Sequence, residues 1–122
     1  MSKISIVVPV YYNADTLELL YEDMQKKILG QLGDYEIVFV DDGSGDESWE
    51  VMTRLRDRDT HIKCVKLSRN FGEHAALLAG LSACTGDCAV TKQADLQEDS
   101  GIILEMYESW KRGNKVVCLL YT

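Results

Sequence analysis

Basic residues are in short supply in this chain. Thirteen Lys and Arg stand against 20 Asp and Glu in 122 residues, a formal net charge of −7. A protein that grips a nucleic-acid backbone needs a basic face, so that class is excluded. An anionic ligand held locally through a divalent cation is not. Histidine is scarcer still, with only His61 and His74 to complete a zinc site begun by Cys84 and Cys88. Together with Cys64 and Cys118, these cysteines are too few and too apolar in setting for a disulfide framework. They are expected to be buried, reduced and structural, which fits a cytoplasmic setting. No apolar run reaches the roughly 20 residues of a membrane helix. The start does not read as a signal peptide either, because Lys3 leads straight into a strand-length apolar run. There is one proline, and no repeat, low-complexity tract or linker, so residues 1–122 are expected to form a single soluble domain. At this length a chain buries roughly two-thirds of its unfolded surface.

What is present is an alternation of short β-rich runs and amphipathic stretches. Ile4 to Val10 reads as a first strand, with Pro9 near its end. A helix follows from Asp15 to Leu29, with Leu17, Leu20, Tyr21, Met24 and Ile28 at helical spacing and Gly30 and Gly33 to stop it. Glu36 to Asp41 is the second strand. The second helix, Glu47 to Asp59, is capped by Ser44 or Asp46 and turns Trp49, Met52 and Leu55 to one side. Ile62 to Leu67 is the third strand. Gly72 to Cys84, rich in alanine and leucine, is a helix expected to lie flat on the sheet and to end at Gly86. Asp87 to Lys92 is the fourth strand, and Asp99 to Arg112 a helix with Ile102, Ile103, Met106, Tyr107 and Trp110 inward. Val116 to Tyr121 reads as a fifth strand, and a larger protein is expected to continue from it. Strands separated by helices predict an α/β fold: a mostly parallel sheet with helices on both faces.

Ligands in such folds bind beyond the carboxyl ends of the strands, where two polar clusters fall. Asp41 and Asp42 close the second strand. Adjacent residues there point different ways, so one is expected to face a ligand while the other braces the turn Gly43-Ser44-Gly45-Asp46. Asp95 and Gln97 follow the fourth strand. In an extended segment, positions i and i+2 project to one side, so both oxygens would reach one hard cation, Mg²⁺ or Mn²⁺. Between them lies Arg69-Asn70-Phe71-Gly72-Glu73-His74. Arg69 can fork onto phosphate, Gly72 allows close backbone approach, and His74 is an acid–base candidate or a satisfied helix-start residue. Tyr11-Tyr12-Asn13 offers an aromatic face and an amide. Taken singly, each cluster also serves as an ordinary turn, cap or solvated loop.

Taken together, the chain resembles glycosyltransferase family 2, which has the Rossmann-like GT-A nucleotide-diphospho-sugar transferase fold. Val8-Pro9-Val10-Tyr11, Val40-Asp41-Asp42-Gly43-Ser44, Arg69-Asn70-Phe71-Gly72, Ala79-Gly80-Leu81, Gly86-Asp87 and Ala94-Asp95-Leu96-Gln97 match its motifs in order. The last and third of these are most similar to the polyprenyl-phosphate branch, the dolichyl-phosphate-mannose-synthase-like enzymes. The resemblance implies a truncated GT-A domain, the donor-binding part, with the acceptor part absent. It further implies that Pro9, Tyr11 and Asn13 line the nucleotide pocket and that Asp42, with Asp41 beside it, holds base or ribose. Arg69, Gln93 and Ala94 would complete the donor site, and Asp95 and Gln97 would bind Mg²⁺ or Mn²⁺. The donor would be a UDP- or GDP-sugar and the acceptor a polyprenyl phosphate or growing glycan. The branch works at the cytoplasmic face of the membrane, so the full-length protein would be membrane-associated.

The sequence departs from the family pattern at several points. Asn13 stands where relatives often carry glutamate. Gln93 replaces the first aspartate of the family's Asp-Ala-Asp-Leu-Gln, which removes a negative charge from the metal and ribose site. A charge-assisted hydrogen bond is worth about 1.5–3 kcal/mol, so donor binding is expected to weaken some ten- to a hundredfold, with Lys92 offsetting part of this by meeting phosphate. Leu119-Leu120-Tyr121 lies where relatives usually offer an arginine. A second reading is therefore a non-catalytic nucleotide-sugar-binding or interaction module descended from such an enzyme. A third, the phosphoacceptor receiver domain, wants its acidic pair after strand one, where this chain has Pro9-Val10-Tyr11-Tyr12.

Overall fold

A computed structural model describes residues 3–32, 34–94 and 101–111, with backbone alone at 102, 109 and 111. Four strands, β1 (Lys3–Val10), β2 (Asp34–Asp41), β3 (Ile62–Lys66) and β4 (Cys88–Thr91), form one sheet in the order β3-β2-β1-β4, and every pairing is parallel. Four helices, α1 (Ala14–Lys27), α2 (Ser48–Arg58), α3 (Glu73–Ala83) and α4 (Gly101–Lys111), separate or follow them. The chain lays β1, β2 and β3 outward in turn, then crosses back to place β4 on the far side of β1. The order thus reverses between β1 and β4, the position at which open α/β sheets leave a crevice beyond the strand ends. The predicted fifth strand lies outside the described residues.

The strands pack into two cores because their side chains alternate. Ile4, Ile6, Val8 and Val10 of β1 join Ile37 and Phe39 of β2 against α1, α2 and α4. Val7, Val38 and Val40 face the other way, onto Ala76 of α3. Helices therefore cover both faces, as expected. The predicted stripe of α1 is buried in full, from Leu17 to Ile28. Of the predicted inward residues of α4, Ile103 and Tyr107 are buried, Met106 and Trp110 half-buried, and the side chain of Ile102 is not described. Gly80 lets α3 lie close, since a Cβ there would meet Val7 and Val40.

Several boundaries differ from expectation. α1 ends at Lys27, and a short 3-10 turn at Leu29–Gln31 carries the chain on. Gly86 does not end α3, which stops at Ala83. It is small because the chain passes tightly over β1, where a Cβ would meet Ser5 Oγ and the Lys3 carbonyl. Gly72 has no neighbour within 4 Å of a Cβ; its φ of 101°, rather than close approach, is what calls for glycine. Pro9 sits in an inner strand, yet costs no ladder bond. Val7 and its odd-numbered neighbours in β1 face β4, whose pairing ends at Val7↔Thr91 and the Lys92 N–H to the Val7 carbonyl. The missing N–H of Pro9 falls past that end. The three described cysteines, Cys64, Cys84 and Cys88, are free but only half-buried, because each lies near an edge of its layer. Burial still pushes the Cys64 thiol up to about 11.

Polar side chains tie the layers together at the end of the sheet away from the crevice. Asp59, just past α2, accepts the hydroxyls of Tyr21 (2.7 Å) and Tyr35 (2.8 Å) and the backbone N–H of His61 (2.9 Å). Burial acts to raise the Asp59 carboxyl, but these donors outweigh it and hold it at about 2. Burial and the carboxylate together push the Tyr21 phenol up to about 12. A hydrogen bond to a charged group contributes about 1.5 kcal/mol at the lower end of its range, so Tyr21→Phe is expected to lose about that much stability. Urea unfolding at pH 7 would read it, and a midpoint equal to that of the wild type would show the bond to be idle.

Candidate donor-binding site

The crevice is a cleft of about 230 Å³ lined by Pro9, Val10, Tyr11, Asn13, Asp42, Glu73, Gln93 and Ala94. It opens beyond the carboxyl ends of β1, β2 and β4, at the reversal of strand order. Its walls are loops held in register by side-chain hydrogen bonds. The Tyr12 N–H donates to Ser44 Oγ (3.0 Å) and the Asn13 N–H to Ser48 Oγ (3.0 Å), which fastens the loop after β1 to the loop after β2. Tyr12 is drawn into the left-handed region by this arrangement, at φ 58°. Ser44 is thus engaged with Tyr12 and does not cap α2. The α2 end is met by Asp46, whose Oδ1 accepts the Ser48 N–H at 3.0 Å. On the other side, Thr16 of α1 donates to the Ala94 carbonyl at 2.8 Å and fixes the exit of β4.

The acidic pair divides its labour as its geometry predicts. Asp41 is fully buried and turns under the loop, where Oδ1 accepts the Ser44 N–H at 3.0 Å. Its Oδ2 has no hydrogen-bond partner among the described residues, and Asp41 does not line the cleft. Asp42 does line it. Its Oδ1 accepts the Phe71 N–H at 2.8 Å, and its Oδ2 and carbonyl each accept from Asn70 Nδ2 at 3.2 Å. Asp42 therefore clamps the loop that starts α3 onto the end of β2. Gly43, at φ 73°, makes the clamp possible: a Cβ there would strike the backbone of Arg69 and Asn70.

The other expected site residues are placed as follows. Pro9, Tyr11, Asn13, Gln93 and Ala94 all face the cleft. Asn13 Oδ1 is taken by the Tyr11 N–H at 2.8 Å, which leaves its amide nitrogen for a ligand. Tyr11 and Tyr12 are about half exposed and meet edge to face at 4.7 Å. Arg69 and His74 are exposed outside the cleft, and the Arg69 guanidinium lies 4.6 Å over the Phe71 ring. Lys92 does not reach out toward a phosphate, because the residue, just past β4, is buried and its Nζ donates to the Gln93 carbonyl (3.4 Å). Asp95 and Gln97 lie outside the described residues, and among those described no three His, Cys, Asp or Glu side chains cluster to hold a metal. Glu73 went unassigned in the sequence. No local pattern marks it, because its partner Gln93 lies 20 residues further along the chain.

Residues 5–122 match the protein family described as Glycosyl transferase family 2. The chain belongs to that family. A relative from Yersinia pestis (strain Pestoides F), an undecaprenyl-phosphate 4-deoxy-4-formamido-L-arabinose transferase, is 39% identical over 120 residues, which cover 96% of this chain and 36% of the relative. The chain spans about a third of the length of the curated relatives it matches. The GT-A fold is shared with S. aureus TarS 1-349, solved in complex with UDP-GlcNAc (TM-score 0.74, 20% identity, 90% of this chain and 31% of that one). It is shared also with the mannosyltransferase PcManGT from Pyrobaculum calidifontis, solved with GDP-Man and Mn²⁺ (TM-score 0.70, 23% identity, 77% and 28%).

Proposed function

We propose that residues 1–122 are the donor-binding domain of a family 2 glycosyltransferase that moves a sugar from a UDP- or GDP-sugar to a polyprenyl phosphate. The observation that carries this reading is the cleft at the β1/β4 reversal, where Pro9, Tyr11, Asn13, Asp42, Gln93 and Ala94 converge. The flat ring of Tyr11 suits a nucleobase, and the free amide nitrogen of Asn13 suits an acceptor on the base edge. The acceptor class follows the Yersinia relative, whose name states undecaprenyl phosphate. A polyprenyl phosphate is anionic at neutral pH, so its oxygen attacks the anomeric carbon without a general base. The bond from that carbon to the diphosphate breaks, the nucleoside diphosphate leaves, and the configuration inverts. Asp95 and Gln97 would hold Mg²⁺ or Mn²⁺ at the exit of β4; one carboxylate and one amide oxygen suit a hard cation that completes its shell with diphosphate and water. Such a cation, when bound, neutralises charge growing on the leaving diphosphate. At whole-protein level, we assign this chemistry to the cytoplasmic face of the membrane. No helix among the described residues is long and apolar enough to cross it.

Calorimetric titration with UDP and with GDP, each with and without Mn²⁺, tests the reading. One of the two is expected to bind, and to need the metal. Silence under all four conditions would remove the donor site and leave the fold with the reading as a non-catalytic interaction module.

A further inference from the structure

Glu73 carries a role that neither its sequence position nor the family pattern assigns. It is the first residue of α3, it lines the cleft, and its Oε1 accepts a hydrogen bond from Gln93 Nε2 at 3.3 Å. Asp42, the cleft's other carboxylate, accepts from Asn70 on Oδ2 and from Phe71 on Oδ1, which leaves one lone pair on each oxygen. Glu73 keeps Oε2 in hand. Gln93, having committed its amide nitrogen to Glu73, keeps its amide oxygen in hand as well. This wall of the cleft therefore offers acceptor oxygens, and a ligand must meet it with donors. Ribose hydroxyls are donors of that kind.

We infer that Glu73, held in place by Gln93, is the carboxylate that binds the ribose hydroxyls of the nucleotide donor, so that the charge absent from position 93 is supplied across the cleft from the start of α3. The inference rests on the donor-site reading above and adds the group that takes the ribose. The glutamine then follows from the geometry. An aspartate at position 93 would face the Glu73 carboxylate across the cleft and repel it, whereas an amide donates to it. Glu73 and Gln93 are a matched pair, and neither position is degenerate.

The test is a titration of the wild-type chain, E73Q, Q93D and the exchanged double variant E73Q/Q93D. The ligands are whichever of UDP and GDP binds and its 2′-deoxy and 3′-deoxy analogues, with Mn²⁺ present throughout. Glu73 is exposed, so the variants are expected to melt with the wild type. E73Q should bind the ribonucleotide about tenfold more weakly, as a charged acceptor becomes a neutral one. The same change should cost nothing with at least one deoxy analogue, which lacks the hydroxyl in question. Q93D alone should bind no better than the wild type, and the double variant should recover to within about twofold of it. If E73Q binds the ribonucleotide as well as the wild type does, the inference falls and the donor site stands. Equal losses with every analogue would overturn the assignment to ribose. A gain in Q93D alone would show a missing charge that Glu73 does not supply. Absence of any binding by the wild type would sink the donor-site reading, and this inference with it.

Discussion

Asp42→Ala is expected to weaken binding of the donor nucleotide by up to about a hundredfold, because the loop held by two charge-assisted hydrogen bonds, about 1.5 kcal/mol each at the lower end of their range, must then be ordered by the ligand. The carboxylate does more than face the cleft. By accepting from the Phe71 N–H and Asn70 Nδ2, it anchors the loop that sets the start of α3, and with it Glu73. Without it the Phe71 N–H loses its partner, the loop loosens over Gly43, and one wall of the cleft is no longer fixed. Asp42→Asn separates the parts of this effect. It keeps one oxygen for Phe71 but presents an amide to Asn70, whose own amide must turn to accept. A loss of about tenfold is expected there, the difference between a charge-assisted and a neutral bond. Far-UV circular dichroism should show both variants folded, because the cores on either face of the sheet lie below the strand ends. Wild-type affinity in the alanine variant would mean that neither the charge nor the loop position matters to the ligand.

The clamp also marks the boundary of what the chain discloses locally. The alternation of β-rich and 3.6-residue patterns places all four described strands and helices to within a few residues, because each pattern is enforced by a core on its own side. The division between Asp41 and Asp42 was legible for the same reason: neighbours at a strand end cannot face the same way. Glu73 was not, because its partner is 20 residues away, just past β4, and only the crossover from β3 to β4 brings them together. The glycines show a similar limit. Gly72 and Gly86 both read as helix-boundary residues, yet one answers to a left-handed φ and the other to the passage of the chain over β1. The serine-rich turn after β2 reads as a helix cap, whereas Ser44 is taken by Tyr12, 32 residues earlier. Local pattern reports secondary structure well. It does not report which loops the sheet will bring face to face.

Glu36 is the sharpest instance, a glutamate that opens a predicted strand and looks in sequence like any solvated strand end. The structure buries it at the far end of the sheet from the cleft, beneath the last turn of α3. Its carboxylate accepts from Ser5 Oγ, from the backbone and hydroxyl of Thr85, and from Lys63 Nζ at 2.8 Å; Lys63 also reaches the Ala83 carbonyl at 3.0 Å. β1, β2, β3 and the end of α3 thus meet on one side chain. Burial acts to raise its pKa, but Lys63, Ser5 and Thr85 outweigh burial and hold the carboxyl at about 2, against 4.5 for an unperturbed one. A depressed carboxylate contributes stability that is complete above its unfolded pKa and is lost as pH falls through its folded one. That shift corresponds to about 3 kcal/mol at neutral pH, at 1.36 kcal/mol for each unit. Glu36→Gln turns an amide nitrogen toward donors it cannot satisfy, so it is expected to destabilise by about that amount at pH 7, in line with breaking one side of a buried ion pair. The gap to the wild type should close as pH falls from about 4.5 to about 2. Asp59, held low at about 2 by its own partners, leaves the variant with a residual acid slope of its own. Unfolding free energies measured by urea across pH 2 to 7 decide the matter: two parallel curves would mean that the knot at Glu36 is not held by charge, whereas curves that converge in acid would place that charge in the stability of the scaffold behind the cleft.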